Sequence, residues 1–443
     1  MRTRLSILAG TGAALALVLA GCSSGGGSDG PVNLTYRLWD DHQQIGFQKC
    51  IDNFQAANEG IAVTIEQMPW GDYWGKLTAD IAAGQGPDLF TNHFQRNPQL
   101  ASDGVLLPLD DYIKRDNLDL GQFAAGLVPV YEYEGKQFGL PKDNGVVSLA
   151  VNLDIVRKLG VTIPDKLTWV PGGGAGDNLI QVAQRLTRDV NGNDAAAPTF
   201  DPNRVDTYGL GMPNGDLTFV TWFGQNGIEI LNEPFGTEWN YGKPEAIEAL
   251  AYIADLLNKY HVMPPAELTN PPANAMEIFN RGEVAIQLVG SWQVGSITDT
   301  LPFEVEYIPL AYGPKGNMSQ SGGLADSIWV GTPHPEESWK LLSYLASYDC
   351  QKIMGGEGYV VPALSQAYGD YESYWSGRGI DVSAFVAAAG NTTPNPFTLG
   401  YDAASIKVTQ VFNSLFLGDI TAEEAGPEAA RLAAEAQREA TGG

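Results

Sequence analysis

Between Val32 and Phe94 the hydrophobic spacing switches repeatedly between the period of a strand and that of a helix. No other stretch restricts the fold as much. In "VNLTYRLWDD" (32–41) an apolar side chain recurs at every second position, which predicts a strand. "HQQIGFQKCIDNFQAAN" (42–58) sets Ile45, Phe47, Ile51 and Phe54 at helical spacing. "EGIAVTIEQM" (59–68) is strand-like again. "DYWGKLTADIAAGQG" (72–86) carries Tyr73, Leu77 and Ile81 on one stripe and is ended by Gly84 and Gly86. "PDLFTNHF" (87–94) reads as a third strand. Strand, helix, strand, helix, strand predicts an α/β fold with a parallel sheet and right-handed crossovers.

The second half repeats the style. "GVVSLAVNLDIVRKLGV" (145–161) is a strand and a helix, and Asp177 N-caps another helix. "KPEAIEALAYIADLLNKYHVMPP" (243–265) is an amphipathic helix stopped by Pro264 and Pro265, and Thr421 to Ala440 reads as a solvated helix. A chain of 443 residues exceeds one hydrophobic core, so two lobes are expected.

The N-terminus has a separate logic. Arg2 and Arg4 precede an uncharged run from Ile7 to Ala20, too short to span a bilayer comfortably, which marks residues 1–21 as a secretory signal peptide. Leu19-Ala20-Gly21-Cys22 resembles the bacterial lipobox, which makes Cys22 the expected lipidation site and residues 22–31 a flexible Gly/Ser tether. Cleavage would remove two arginines and no acid, taking the formal net charge from −26 to −28. Such acidity argues against nucleic acid and against anionic lipid surfaces. Cys50 and Cys350 are left as an even pair in an oxidising compartment, either a disulfide or two buried thiols. His42, His93, His261 and His334 show no metal-ligand spacing.

Ligands of open α/β sheets sit beyond the carboxyl ends of the strands. That rule selects Asp40, Asp41 and His42 after the first strand, Trp70 to Trp74 after the second, and Asn92 to Gln95 after the third. Asp40 and Asp41 would also serve as helix caps. "PGGGAGDN" (171–178) lacks the Gly-Lys-Ser/Thr of a phosphate loop. "DVNGNDAAAPTF" (189–200) has its glycine and its last residue out of place for a calcium loop and reads as a turn. No metal and no cofactor are expected.

Four blocks carry a resemblance: "YWGKLTADIAAGQGPDLF" (73–90), "GKQFGLPKDNGVVSLAVNLDIVRKLGV" (135–161), "FNRGEVAIQLVGSW" (279–292) and "SGGLADSIWVGTPHPEESWKLLSYLAS" (321–347). In this order they resemble the extracellular solute-binding proteins of carbohydrate ABC importers, family 1, the branch that includes maltose-binding protein. The resemblance implies a two-lobed periplasmic-binding-protein-like fold, each lobe a mainly parallel sheet flanked by helices, joined by a multi-segment hinge. It implies lobe one from residues 32–142 and 322–368, and lobe two from residues 143–321 and 369–443. Cys50 and Cys350 would then both lie on helices of lobe one, which favours their disulfide.

Carried over residue by residue, the family's cleft falls on Asp40, Asp41, Trp70, Asn92, Phe94, Gln95, Asp143, Asn144, Asp216, Trp222, Trp292, Gly323 and Tyr401. Trp292, in "GSW", resembles the tryptophan that stacks on a sugar ring. Trp222 shares a helical stripe with Phe219 and Phe223, the ordinary pattern of a core. Tyr401, in "NTTPNPFTLGYDAAS", departs from the tryptophan–tyrosine pair of maltose-binding proteins and argues against a maltodextrin. Arg96 and Lys142 are the near cations, too few for a phosphorylated ligand. The implied activity is capture of a sugar, an oligosaccharide for preference, without catalysis. The implied partners are ABC permease subunits and their ATPase. The chain would act as a monomer, anchored as a lipoprotein on the outer face of the cell membrane. The competing readings are a secreted glycoside-active enzyme, whose paired carboxyls would flank the scissile bond, and a binder of a cation such as a polyamine.

Overall fold

A computed structural model describes residues 30–270 and 275–442. The expected signal peptide, Cys22 and most of the tether lie outside the described residues. The chain builds two five-stranded sheets. In the first, Val32–Leu38 pairs in parallel with Ile61–Gln67 on one side and Leu89–Asn92 on the other. Helices Asp41–Ala57 and Trp70–Ala82 make the crossovers. Ala325–Ile328 then pairs antiparallel with Leu89–Asn92, and Leu140–Pro141 antiparallel with Ala325–Ile328.

The second sheet runs Val305–Ile308, Val147–Asn152, Val284–Gly290, Val205–Gly211, Arg188–Asp189. Its central strand, Val284–Gly290, is buried at every position. Only the pairing of Val284–Gly290 with Val205–Gly211 is parallel. The sheets are therefore mixed, where a mainly parallel arrangement was expected. The cause is topological: Val147–Asn152 and Ala325–Ile328, which enter a sheet on passing from one lobe to the other, run against their neighbours, and Arg188–Asp189 pairs antiparallel with Val205–Gly211 within its own lobe. Side-chain periodicity carries no strand direction.

Each sheet has its own core. Leu34, Tyr36 and Leu38 pack with Phe47, Ile51 and Phe54, and with Ile328, Trp339 and Leu342 from far along the chain. Leu149, Leu210, Ile286 and Leu288 pack with the helices Pro244–Asn258, Tyr401–Leu417 and Ala422–Thr441. Val146, Ala150 and Val289 gather a third cluster with Tyr371, Trp375 and Phe385. Cys50, on Asp41–Ala57, and Cys350, on Tyr348–Gly356, form a buried disulfide that ties the first sheet's helices together.

Three stretches run side by side between the sheets. The Lys142 N–H donates to Leu324 O (2.9 Å), Asn144 N–H to Val361 O (2.8 Å) and Gly322 N–H to Gly145 O (2.8 Å). Glycine is required for this approach: a Cβ on Gly145 would lie 2.7 Å from Gly322 O, and one on Gly323 the same distance from Asp143 O. Neighbouring stretches that cross between two lobes side by side are the geometry of a hinge. Among the described residues no helix is long and apolar enough to cross a membrane.

Candidate functional site

A cavity of about 480 Å³ lies between the sheets, bounded by both and floored by the hinge. Trp39 and Asp40 reach it from the end of the first strand, Trp70 from the start of the helix after the second, and His93 from the end of the third. From the other side come Leu217, at the start of helix Asp216–Asn226, and Ser291 and Trp292, which follow strand Val284–Gly290. Asp143, Asn144, Gly145, Gly322 and Val361 line the floor.

Aromatic rings dominate one wall. Trp39 meets Trp70 edge-on at 4.9 Å between centroids, Trp70 meets Trp74 at 5.9 Å, and His93 lies 5.6 Å from Trp70. Trp70 keeps 50% of its surface exposed, so one of its faces is free. Opposite, the indole of Trp292 lies over Gly290, where a Cβ would come within 2.3 Å of the ring, and close to Gly145. The glycines make a flat seat for the ring.

The polar groups are acceptors for the most part. Asp40 Oδ1 caps the following helix by accepting from the Gln43 N–H at 2.8 Å. Burial raises the Asp40 pKa. Asp143 accepts from the Leu324 N–H at 2.8 Å. Burial pushes its carboxyl up to about 6 against the opposing pull of Lys142. Burial, helped by the charge of Arg96, lowers the His93 imidazole to about 3, so it is neutral. Among the described residues no lysine or arginine lines the cavity. Lys142 turns into the first sheet, where it donates to Thr91 Oγ1 (2.9 Å) and Tyr36 OH (3.2 Å) and lies 3.7 Å from the Asp326 carboxylate. Arg96 stacks over Trp74 (4.6 Å) and pairs with Asp402 (2.6 Å). A cavity with indole faces, carboxylate and amide acceptors and no cation suits a neutral polyhydroxylated solute.

Residues 41–352 match the family model of bacterial extracellular solute-binding proteins. The chain belongs to this family. Among relatives, the arabinooligosaccharide-binding protein of Bacillus subtilis is 25% identical over 340 residues, covering 74% of this chain and 73% of that protein. The structure of the substrate-binding protein Lmo0181 from Listeria monocytogenes, solved with cycloalternan, superposes with a TM-score of 0.78 at 21% identity, covering 93% of this chain and 99% of that one. The structure of UspC from M. tuberculosis superposes with a TM-score of 0.74 at 25% identity, over 91% of this chain and all (100%) of that one.

In this solute-binding protein Asp40, Trp70, Asp143, Asn144 and Trp292 line the cavity. Several other expected residues do not. Trp222 is 1% exposed, in the core beside Trp169, because it sits in the middle of a helix that is buried along its length from Thr218 to Asn226. Asn92 is fully buried, donating to Asn97 Oδ1 and Ser327 Oγ, both at 3.1 Å. Phe94 lies behind His93, its ring 4.2 Å from the imidazole, and packs with Tyr131 and Ala325. Asp41 is exposed in the first helical turn, and Gly323 backs onto Leu127. Gln95, Asp216 and Tyr401 are spent on one another: Gln95 Nε2 donates to Asp216 Oδ2 (2.6 Å) and Tyr401 OH (2.8 Å), and the Tyr401 hydroxyl also donates to Asp216.

His93 lies in the loop selected after the third strand, whereas Trp39, Gln43, Leu217 and Ser291 are lining residues that sequence reasoning missed. Trp39 had a signal, a large aromatic directly after the end of a strand, next to the selected Asp40. Val360 and Val361 had none, since an apolar hinge residue looks like any core residue. The segment 189–200 is a turn. Burial raises the Asp189 carboxyl, but four donors, the N–H groups of Asn191, Asn193 and Asp201 and the Asn193 amide, outweigh it and hold the pKa at about 2.

Proposed function

We propose that this protein captures a neutral sugar, an oligosaccharide for preference, between its lobes and delivers it to an ABC permease energised by its ATPase. The observation that carries the reading is the cavity itself: Trp70 and Trp292 on opposite lobes, Asp40, Asp143 and Asn144 between them, and, among the described residues, no cation. Indoles suit the C–H faces of a sugar ring, and carboxylates and amides suit its hydroxyls. The sugars named for the relatives support it. A polyamine would also suit carboxylates beside indoles, but the burial that raises Asp40 and Asp143 weakens their hold on a cation. The protein acts without turnover and as a monomer.

Because the solute touches both lobes only when they are closed, binding favours closure. Lobe one comprises residues 32–142 and 322–368, and lobe two residues 143–321 and 369–443. Residues 1–21 direct export, Cys22 carries the lipid and residues 22–31 are the leash on the outer face of the membrane. An anchored captor stays at high effective concentration near its permease. The test is a thermal-shift screen of the mature chain over mono- and oligosaccharides with spermidine alongside. A saccharide should raise the melting temperature. A shift with spermidine and with no sugar would overturn the reading.

A further inference from the structure

The contact of Gln95 with Asp216 and Tyr401 joins the two halves of the molecule. Gln95 follows the third strand of the first sheet, while Asp216 and Tyr401 each open a helix packed on the second. The Gln95 amide inserts between them, giving one hydrogen to the carboxylate and one to the phenol oxygen. Tyr401 is 5% exposed and Asp216 half-buried, so the bonds are partly shielded from water, and the one to the Asp216 carboxylate is charge-assisted. Beside them Arg96 pairs with Asp402 at 2.6 Å, and the Gly400 N–H donates to Gln99 Oε1 at 3.4 Å. The Arg96–Asp402 pair is partly exposed and worth little by itself. None of Gln95, Asp216 and Tyr401 lines the cavity.

We propose that Gln95 is a latch: by bonding directly to Asp216 and Tyr401 it holds the lobes together whatever the cavity contains, and so sets solute affinity through the closing equilibrium. Opening the hinge would carry Gln95 away while Asp216 and Tyr401 remained together on their own lobe. The closed state thus has a stabilising interaction that no solute needs to supply. Only the effect on affinity rests on the reading of the cavity as the solute site. Apparent affinity scales with the fraction of molecules already competent to bind, so weakening the latch should weaken binding with no ligand contact removed. Losing two hydrogen bonds, one of them to a carboxylate, should lower the closed-to-open ratio about tenfold.

The experiment is small-angle X-ray scattering on the mature chain, unfolded and refolded to strip any co-purified solute. Gln95→Glu would set a carboxylate against Asp216 at unchanged size, and Gln95→Ala removes the donors without repulsion. Wild type should scatter as the closed structure. Both variants should show a larger radius of gyration with unchanged circular dichroism, Gln95→Glu the more so. Once a sugar is identified, its Kd should rise in Gln95→Ala by the factor by which scattering shows the closed fraction to fall, at most about tenfold. Identical scattering from wild type and both variants, whether all closed or all open, would overturn the latch. That outcome is independent of whether any sugar binds.

Discussion

Trp292 and Trp222 show how much one residue's position decides. Both are tryptophans next to apolar runs. Trp292 follows the end of a central strand and reaches the cavity over two glycines, whereas Trp222 sits in mid-helix and fills the core. Trp292→Ala should weaken sugar binding by about 2 kcal/mol, roughly thirtyfold in Kd by calorimetry, with the melting temperature of the free protein little changed. Trp222→Ala should do the reverse: a loss of about 3–5 kcal/mol in urea unfolding, from a large buried cavity, with no residue withdrawn from the site. Asp143 tests the electrostatics. Its pKa is raised in the fold to about 6 from 3.8. A raised carboxyl contributes stability that is present below the unfolded value and lost as pH climbs through the folded one. Above pH 6 the buried charge therefore costs about 3 kcal/mol. Asp143→Asn keeps an acceptor for the Leu324 N–H and should stabilise the protein in urea unfolding at pH 8 but not at pH 4. Equal effects at both pH values would show that the carboxyl is not buried as a charge.

At the scale of elements, the N-terminal βαβαβ unit was legible because each strand and helix has a clean period and short connections dictate the crossovers. The direction of the later strands was not, since Leu140–Pro141 and Ala325–Ile328 take their orientation from hinge passages that leave no periodic trace. The C-terminal helix was misread for a related reason. Its alanine-rich sequence lacks large apolar residues and reads as solvated, yet Ala425, Gly426, Ala429, Ala433 and Ala436 are buried in Ala422–Thr441. Small residues let helices approach closely, and a Cβ on Gly426 would lie 2.5 Å from Tyr241 O. The site divides in the same way: strand-end chemistry was legible, while Asn92 was misassigned because one position at a strand end separates it, in the core, from His93 in the cavity. The disulfide bridges 300 residues, a separation at which spacing says nothing about proximity. Replacing Cys50 and Cys350 together by alanine should cost about 2–4 kcal/mol in denaturant unfolding. Sugar affinity should be unchanged, because both residues lie away from the cavity.

For the whole molecule, two sheets with separate cores are joined by hinge strands whose close approach depends on glycine. The cavity lies where closing the hinge brings the two aromatic walls together. The strand ends supply the chemistry, the hinge supplies the motion, and the acidic, cation-free cavity narrows the solute to something neutral and rich in hydroxyls. The central claim is capture without turnover. Its most direct test is titration calorimetry of the stripped mature chain with arabino- and malto-oligosaccharides, followed by chromatography of the recovered sugar. Saturable one-to-one binding of at least one saccharide is expected, with the sugar recovered intact after prolonged incubation. Shortened or rearranged sugar in the recovered fraction, or no binding heat with any saccharide, would contradict it.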